Sequence, residues 1–281
     1  MKKVAIITDS SAYLPQEFVD ELGIHVVPLA LHWDGETYHD GVDIKAEEFY
    51  TRLADSKTIP TTSQVSVSEF YDLFKDLLAQ DYAVLTLLIS SGISGTVDSA
   101  LQAQSNFPGE AIEIFDSGLV SMALGFMVLT VARAARDGAD LQACLALAKA
   151  VFPKIGVYFT VDTLEYLNKG GRINTAKRLM GSALNLKPIM EIRDGKIELV
   201  ESVRSRRKAV QRMLELVARD ISGKSPVRIS TFHAAAAEEN QALLADAMDR
   251  FKAVEGITTF VSPVVGAHTG PGTLSIAYMA G

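Results

Sequence analysis

Hydroxyls and glycines crowd the stretch SSGISGT, residues 90–96, which follows an apolar run and holds four Ser or Thr and two Gly. TDSS at residues 8–11 and FDSG at 115–118 end two further apolar runs, and TTSQ at 61–64 precedes a helical pattern. Any one of these side chains can simply cap its own helix. Several of them on one edge of a parallel sheet, where ligands bind beyond the carboxyl ends of the strands, can instead hold an anion. Gly92 and Gly95 allow close backbone approach, and a helix starting near Ser94 would aim its positive end at the same point. No P-loop lysine and no spaced glycines of a dinucleotide fingerprint accompany the cluster, which disfavours a nucleotide. Covalent chemistry is the other option: Ser94 lies in Gly92-Ile93-Ser94-Gly95-Thr96, with Thr96 in place of the second glycine of a nucleophile elbow. Its base would be His268 in GAHTGPG, where Gly266, Gly270 and Gly272 predict a tight turn between two strands. That pair would make a serine-dependent lipid or thioester hydrolase. His25, His32, His39 and His233 show no metal-ligand spacing, and Asp40 and Asp43 lack supporting ligands, so no metal is expected.

Composition bounds the rest. With 281 residues, 48 % of them hydrophobic and 22 % charged, the chain can bury a sizeable interior and suits two domains. A net charge of -7 argues against a broad nucleic-acid surface, which needs Lys and Arg in excess. The single cysteine, Cys144, sits in an Ala/Leu-rich helical stretch and cannot form an internal disulfide. After MKK the apolar run breaks at Asp9, short of a secretory signal, and no run of about 20 apolar residues follows. A cytoplasmic protein is expected.

The elements that must position these residues follow from periodicity. VAIIT, IHVVPLAL, AVLTLLI, AIEIF and IGVYFTV read as strands alternating with amphipathic helices, the pattern of an α/β fold. LHWDGETYHDGVDI breaks the rhythm as a hairpin turned at Asp34-Gly35. Ser66 and Glu69 form a capping box before the next helix. After Val161 come short helices through LEYLNKGGRIN and AKRLMGSALN and a hairpin turned at Asp194-Gly195. A helix from about Arg206, the strand VRISTF, a helix over about 235–254, the strand ITTFVSPV and a last strand after GAHTGPG complete the chain. Two domains are expected: residues 1–161, a largely parallel sheet flanked by helices with a small β insertion at about 24–60, and residues 162–281, an α+β unit. Basic residues including Lys169, Arg172, Arg204, Arg206 and Arg212 gather in KGGRINTAKR and VRSRRKAVQR. They form either a solvated face of two helices or a landing surface for an anionic ligand or acidic partner.

TDSS, TTSQ, SSGISGT, FDS, LEYLNKGGRI, LNLKPI, RSRRKA and HTGPG occur in an order that resembles the bacterial DegV family, the fatty acid-binding, acyl-carrying subunits of fatty acid kinase. The resemblance runs essentially end to end. It implies two α/β domains with a long-chain fatty acid buried between them and its carboxylate at the SGISGT loop. By motif, Ser94 and Thr62 would hydrogen-bond the carboxylate, with Ser63, Gly95 and His268 close by. Arg172 and Arg204 would lie near the carboxylate exit and the kinase docking face. In the family a separate ATP-dependent kinase phosphorylates the bound carboxylate, and the acyl phosphate enters phospholipid synthesis. The resemblance thus implies a non-catalytic carrier without a cofactor, partnered by the fatty acid, the kinase subunit and, transiently, a membrane surface, but by no nucleic acid. A lipid-sensing regulator would share the pocket and differ in partner. Val65 after TSQ and Val97-Asp98 after SGT depart from the family pattern and leave the tunnel's shape open.

Overall fold

The computed structural model describes residues 2–180 and 186–281. The chain opens with β1 (Val4–Asp9), α1 (Gln16–Leu22) and β2 (His25–Val27). The insertion follows as β3 (Ala30–Trp33), β4 (Glu36–His39), α2 (Ala46–Asp55) and β5 (Thr61–Ser63). Next come α3 (Val67–Ala79), β6 (Ala83–Leu88), α4 (Thr96–Gln104), β7 (Ile112–Asp116), α5 (Ser121–Arg136) and α6 (Leu141–Val151). Strands β2-β1-β6-β7 form a fully parallel sheet, and β6 is buried along its whole length, as a strand covered on both faces must be. The run IHVVPLAL, expected as one strand, is divided at Pro28, which has no N–H for a ladder. Its first part, β2, joins the parallel sheet, while β3 starts a separate antiparallel sheet in the order β4-β3-β5. Asp34 and Gly35 turn the β3–β4 hairpin with φ of 53° and 89°, the double positive φ of a type I′ turn. At α3 the expected capping box is complete: Glu69 N donates to Ser66 Oγ at 3.2 Å and Ser66 N donates to Glu69 Oε2 at 2.8 Å.

The second part holds β8 (Ile155–Thr160), α7 (Glu165–Lys169), β9 (Lys187–Arg193), β10 (Lys196–Val203) and α8 (Arg206–Asp220). It ends with β11 (Val227–His233), α9 (Ala237–Phe251), β12 (Glu255–Phe260), α10 (Pro263–Thr269) and β13 (Leu274–Ala280). Six strands pair in the order β10-β9-β8-β13-β11-β12, all antiparallel except β11 with β12. Strand β8, counted on sequence with residues 1–161, has its hydrogen bonds in this sheet, to β9 and β13. The helix expected through AKRLMGSALN is a 3-10 segment at Asn174–Leu179, and its remainder, with the start of LNLKPI, lies outside the described residues. The strand expected through ITTFVSPV stops at Phe260, and the turn expected around His268 is helix α10. Pro263 explains both differences: it cannot donate within a ladder, and its fixed φ suits a first helical turn.

Helix α5 locks the layers together. Every residue from 121 to 129 is buried, because α5 packs against β1 and β6 and also against β8 and β13. Strand β13 divides its side chains by the two-residue period of a strand. Ala277 and Met279 join the large core with α5, while Leu274, Ile276 and Tyr278 join a second core under α8.

Two buried carboxylates tie the loops at the ends of these strands. Asp9 accepts from Ser11 N at 3.0 Å, Ser11 Oγ at 2.5 Å and Ile89 N at 2.7 Å, joining the ends of β1 and β6. Asp40 accepts from Ser10 Oγ at 2.6 Å and Val264 N at 3.2 Å, joining the first loop and the insertion to α10. Burial raises both acids, Asp40 to about 6. Asp9→Ala strands buried donors and is expected to lower the unfolding free energy by about 3 kcal/mol in urea titration. Loss of the exposed α3 cap in Ser66→Ala should cost only about 1 kcal/mol.

Candidate functional site

A chamber of about 300 Å3 opens where the parallel sheet, the three-stranded sheet and α10 meet. Thr62, Ser63, Ser94, Gly95, Arg172 and His268, all singled out on sequence, border it. They arrive from four distant segments: β5, the β6–α4 loop, the turn after α7, and α10. Neighbours on a strand point to opposite faces, and this separates Thr62 from Ser63. Thr62 Oγ1 lies 2.8 Å from His268 Nε2, whereas Ser63 Oγ lies 2.9 Å from His32 Nε2 and is exposed. Ser63 borders the chamber as Thr62 does, but its hydroxyl is engaged with His32. Gln64, which sequence reasoning passed over, lines the chamber too and donates through Nε2 to Ser99 Oγ at 2.9 Å. Its amide lies where a Cβ at position 95 would stand, so any larger residue there would have to displace the Gln64 side chain.

Ser94 sits two residues before α4. Its Oγ accepts from Thr96 N at 3.3 Å and lies 2.9 Å from Thr96 Oγ1, which fixes the hydroxyl at the start of the helix. Arg172 holds the same loop from the other side. Its Nε and Nη2 donate to Ile93 O at 3.3 and 3.2 Å, and Nη1 donates to Gly170 O at 2.6 Å. Arg204 does not border the chamber; it is exposed in the β10–α8 connection. Two further hydroxyls of the opening motif brace it: Ser90 Oγ donates to Gly195 O at 2.7 Å and Ser91 Oγ to Asp116 Oδ2 at 2.5 Å, while Ser91 N and Gly118 N donate to Asp116 Oδ1 at 3.2 and 3.0 Å. Much of the basic cluster is paired rather than offered to a ligand: Lys169 with Glu165 at 2.7 Å, Arg206 with Glu239 at 2.7 Å and Arg212 with Glu201 at 2.6 Å.

Burial, with the Arg172 charge adding to it, lowers the His268 imidazole to about 4, so it is neutral at pH 7. A neutral ring has one N–H. Nδ1 has no hydrogen-bond partner, and Gly170 packs beside it. The tautomer protonated on Nε2 places that N–H on Thr62 Oγ1 and avoids an orphaned donor. Thr62 then accepts from His268, and its own proton points to another acceptor, such as an anion in the chamber. The hydrolase arrangement is not formed: His268 bonds Thr62 rather than Ser94, and no carboxylate orients Nδ1. Among the described residues no group of three or more His, Cys, Asp or Glu is gathered to hold a metal. Among the described residues, too, no helix is long and apolar enough to cross a membrane.

Beside the chamber lies a small apolar space of about 40 Å3, termed the channel. The two spaces share Val120, Ile197, Val265 and Thr269, and Phe159, Phe232 and Val157 line the inner end. Uncharged donors at one end and hydrocarbon at the other suit an amphiphilic anion.

Residues 3–281 match the family model described as an uncharacterised protein of the DegV family. A DegV domain-containing protein of Listeria monocytogenes is 34 % identical over 278 residues, covering 99 % of this chain and 98 % of the relative. Protein DegV of Bacillus subtilis is 33 % identical over 276 residues, 98 % of each chain. The structure resembles a fatty acid-binding DegV family protein from Thermus thermophilus with a TM-score of 0.94, 31 % identity and 99 % coverage of both chains. It likewise resembles DegV, a fatty acid binding protein from Bacillus subtilis, with a TM-score of 0.91, 32 % identity and 100 % coverage of both. A stearic acid-binding protein from Eubacterium ventriosum matches with a TM-score of 0.90, 26 % identity and coverage of 100 % and 98 %.

Between pH 6.5, the ordinary imidazole value, and about 4, the unfolded chain takes up a proton at position 268 that the folded chain refuses. Stability present at neutral pH is therefore lost as pH falls through that window. His268→Gln should flatten this part of the urea-unfolding profile. The opposing titration of Asp40, raised by burial, is common to both proteins and cancels in the comparison. Equal slopes in both would show that the imidazole is not held neutral.

Proposed function

The chain belongs to the DegV family, and from that premise we propose that it binds a long-chain fatty acid, carboxylate in the chamber and tail in the channel. The observation that carries the reading is that the two spaces share four lining residues, with donors bordering one and hydrocarbon the other. Relatives of closely similar fold, from Thermus thermophilus and Bacillus subtilis, are fatty acid-binding proteins. Burying a sixteen-carbon tail gains on the order of 11 kcal/mol, and a bilayer offers nearly as much, so the protein must enclose the tail to compete. Chamber and channel together stand at the lower end of ligand-sized cavities, so the channel walls must part as the tail enters.

The carboxylate is the costly part, since an unpaired buried charge costs several kcal/mol. In this reading Thr62, Ser94 and the N-terminus of α4 offset that cost with uncharged donors. Arg172 spends its hydrogen bonds on the Ile93 and Gly170 carbonyls rather than gripping the anion. An oxygen held by hydroxyls keeps more of its nucleophilicity than one clamped by guanidinium. The protein would then serve as the non-catalytic carrier that presents this oxygen to a separate ATP-dependent fatty acid kinase, in the cytoplasm, with transient contact at a membrane surface. Residues 1–161 and 162–281, apart from the pairing of β8, would act as the two units enclosing the ligand. Arg204, exposed beyond the chamber, would help to dock the kinase.

Denaturing the purified protein and weighing the extracted lipid should give about one fatty acid per chain. Thr62→Val and Ser94→Ala should each weaken retention by about tenfold. A chain that neither carries nor takes up fatty acid, or that hydrolyses acyl esters alone, would overturn the reading. Arg204→Glu should leave fatty acid retention intact and lower acyl phosphate formation with the kinase; unchanged turnover would remove the docking role.

A further inference from the structure

The inner channel is not uniformly apolar. Ser121 and Thr269 are 4 % and 5 % exposed, both line the channel, and neither hydroxyl has a hydrogen-bond partner among the described residues. Thr269 also borders the chamber, as does Val120 next to Ser121, so the pair stands where chamber and channel join. Ser121 opens α5, a helix of 16 residues whose start has neither a side-chain cap nor an acidic residue in its first turn. The N–H groups of that turn add donors beside the hydroxyl. Ser121 has a φ of 61°, a conformation that a non-glycine residue keeps only when its surroundings hold it.

A saturated chain passing this junction offers nothing to either hydroxyl, and an unmet buried polar group is expensive. The complement of two hydroxyls that can each donate and accept is an oxygen carried by the ligand itself. Resting on the fatty acid reading, we infer that the channel contains a polar subsite, built by Ser121 and Thr269, for an acyl chain bearing a hydroxyl group. That oxygen lies beyond the carboxylate chamber and short of the aromatic inner end at Phe159 and Phe232. The hydroxyl on the chain accepts from one side chain and donates to the other, so the ligand restores both missing bonds at once. A buried water could satisfy the same two groups beneath a plain chain, and the two cases differ in which acid the protein prefers.

Competition binding with stearic acid and a series of hydroxystearic acids, the hydroxyl moved stepwise along the chain, decides between them. One positional isomer should bind about tenfold tighter than stearic acid. In the Ser121→Gly, Thr269→Val double variant the ratio of those two affinities should fall to near one. Thr269→Val alone should reduce it in part and serves should the change at α5 impair folding. Stearic acid binding at least as tightly as every isomer, or a preference unaltered by the substitutions, would overturn the subsite and leave the fatty acid reading standing. Failure of every acid, stearic acid included, would instead remove the fatty acid reading and this inference with it.

Discussion

The hydrogen bond of 2.8 Å between Thr62 Oγ1 and His268 Nε2 joins residues 206 positions apart, and its two ends are placed by separate long-range contacts. Thr62 is held by the pairing of β5 with β3, and β3 follows the parallel sheet through the short chain at Pro28, where Leu29 N donates to Ser10 Oγ at 3.2 Å. His268 is held by α10, whose first turn is anchored by the Asp40 carboxylate at the end of the same small sheet. One buried acid therefore fixes the distance between the insertion and the helix that carries its partner. Protonation of His268 would keep the polarity of the bond but add a charged N–H at Nδ1, where no acceptor stands among the described residues, so the enclosed ring is favoured neutral. Burial and the nearby Arg172 charge keep it so.

Rigidity at the rim comes from carboxylates and serines rather than from glycine alone. Asp9 and Asp40 are both fully enclosed, at 0 % and 2 % exposure, and burial raises both of them. Such groups are tolerated inside a protein only where donors meet them, and here the donors belong to loops from different strands. Each acid therefore converts a desolvation penalty into a geometric constraint: a loop that drifts loses a bond that nothing else supplies. Ser90 does the same between the β6–α4 loop and the hairpin turn at Gly195. The chamber is thus edged by backbone that is held at several points, while its channel is walled mainly by buried side chains.

Features written into a few adjacent residues were legible in the sequence. The Asp34-Gly35 and Asp194-Gly195 turns are readable because a two-residue hairpin demands positive φ at both positions, and the Ser66–Glu69 box because its bonds span three residues. The strand character of IGVYFTV was equally plain. Its sheet was not, since β8 is claimed by β13, more than a hundred residues later. The glycines around His268 suggested a turn, although Ser262 followed by Pro263 carries the opposite signal, a helix start. Motif reasoning grouped Thr62 with Ser63, and the period of a strand is what divides them. Gln64 stood inside the TTSQ motif but was given no role there, and Ser121 had no local mark, because each owes its place to what packs over it.

Charge placement is what distinguishes a holder of carboxylates from a reactor on them. A nucleophilic serine needs a base that can take its proton, and His268, held to Thr62 and with its basicity suppressed by burial beside a guanidinium, is poorly suited to that task. The same suppression is an advantage for binding. A cationic imidazole would hold a carboxylate more tightly but would draw charge from the oxygen and resist its later transfer. Arg172 is near enough to influence His268 yet is turned to backbone carbonyls, so its charge shapes the chamber without quenching an anion inside it. Hydroxyls, a neutral ring and a helix start can together stabilise an anion while leaving its lone pairs available. In the proposed reading, chemistry on that anion would come from outside the chain, and Ser94, Gly95 and Arg172, which border the chamber, also line a second, polar pocket with Gly92.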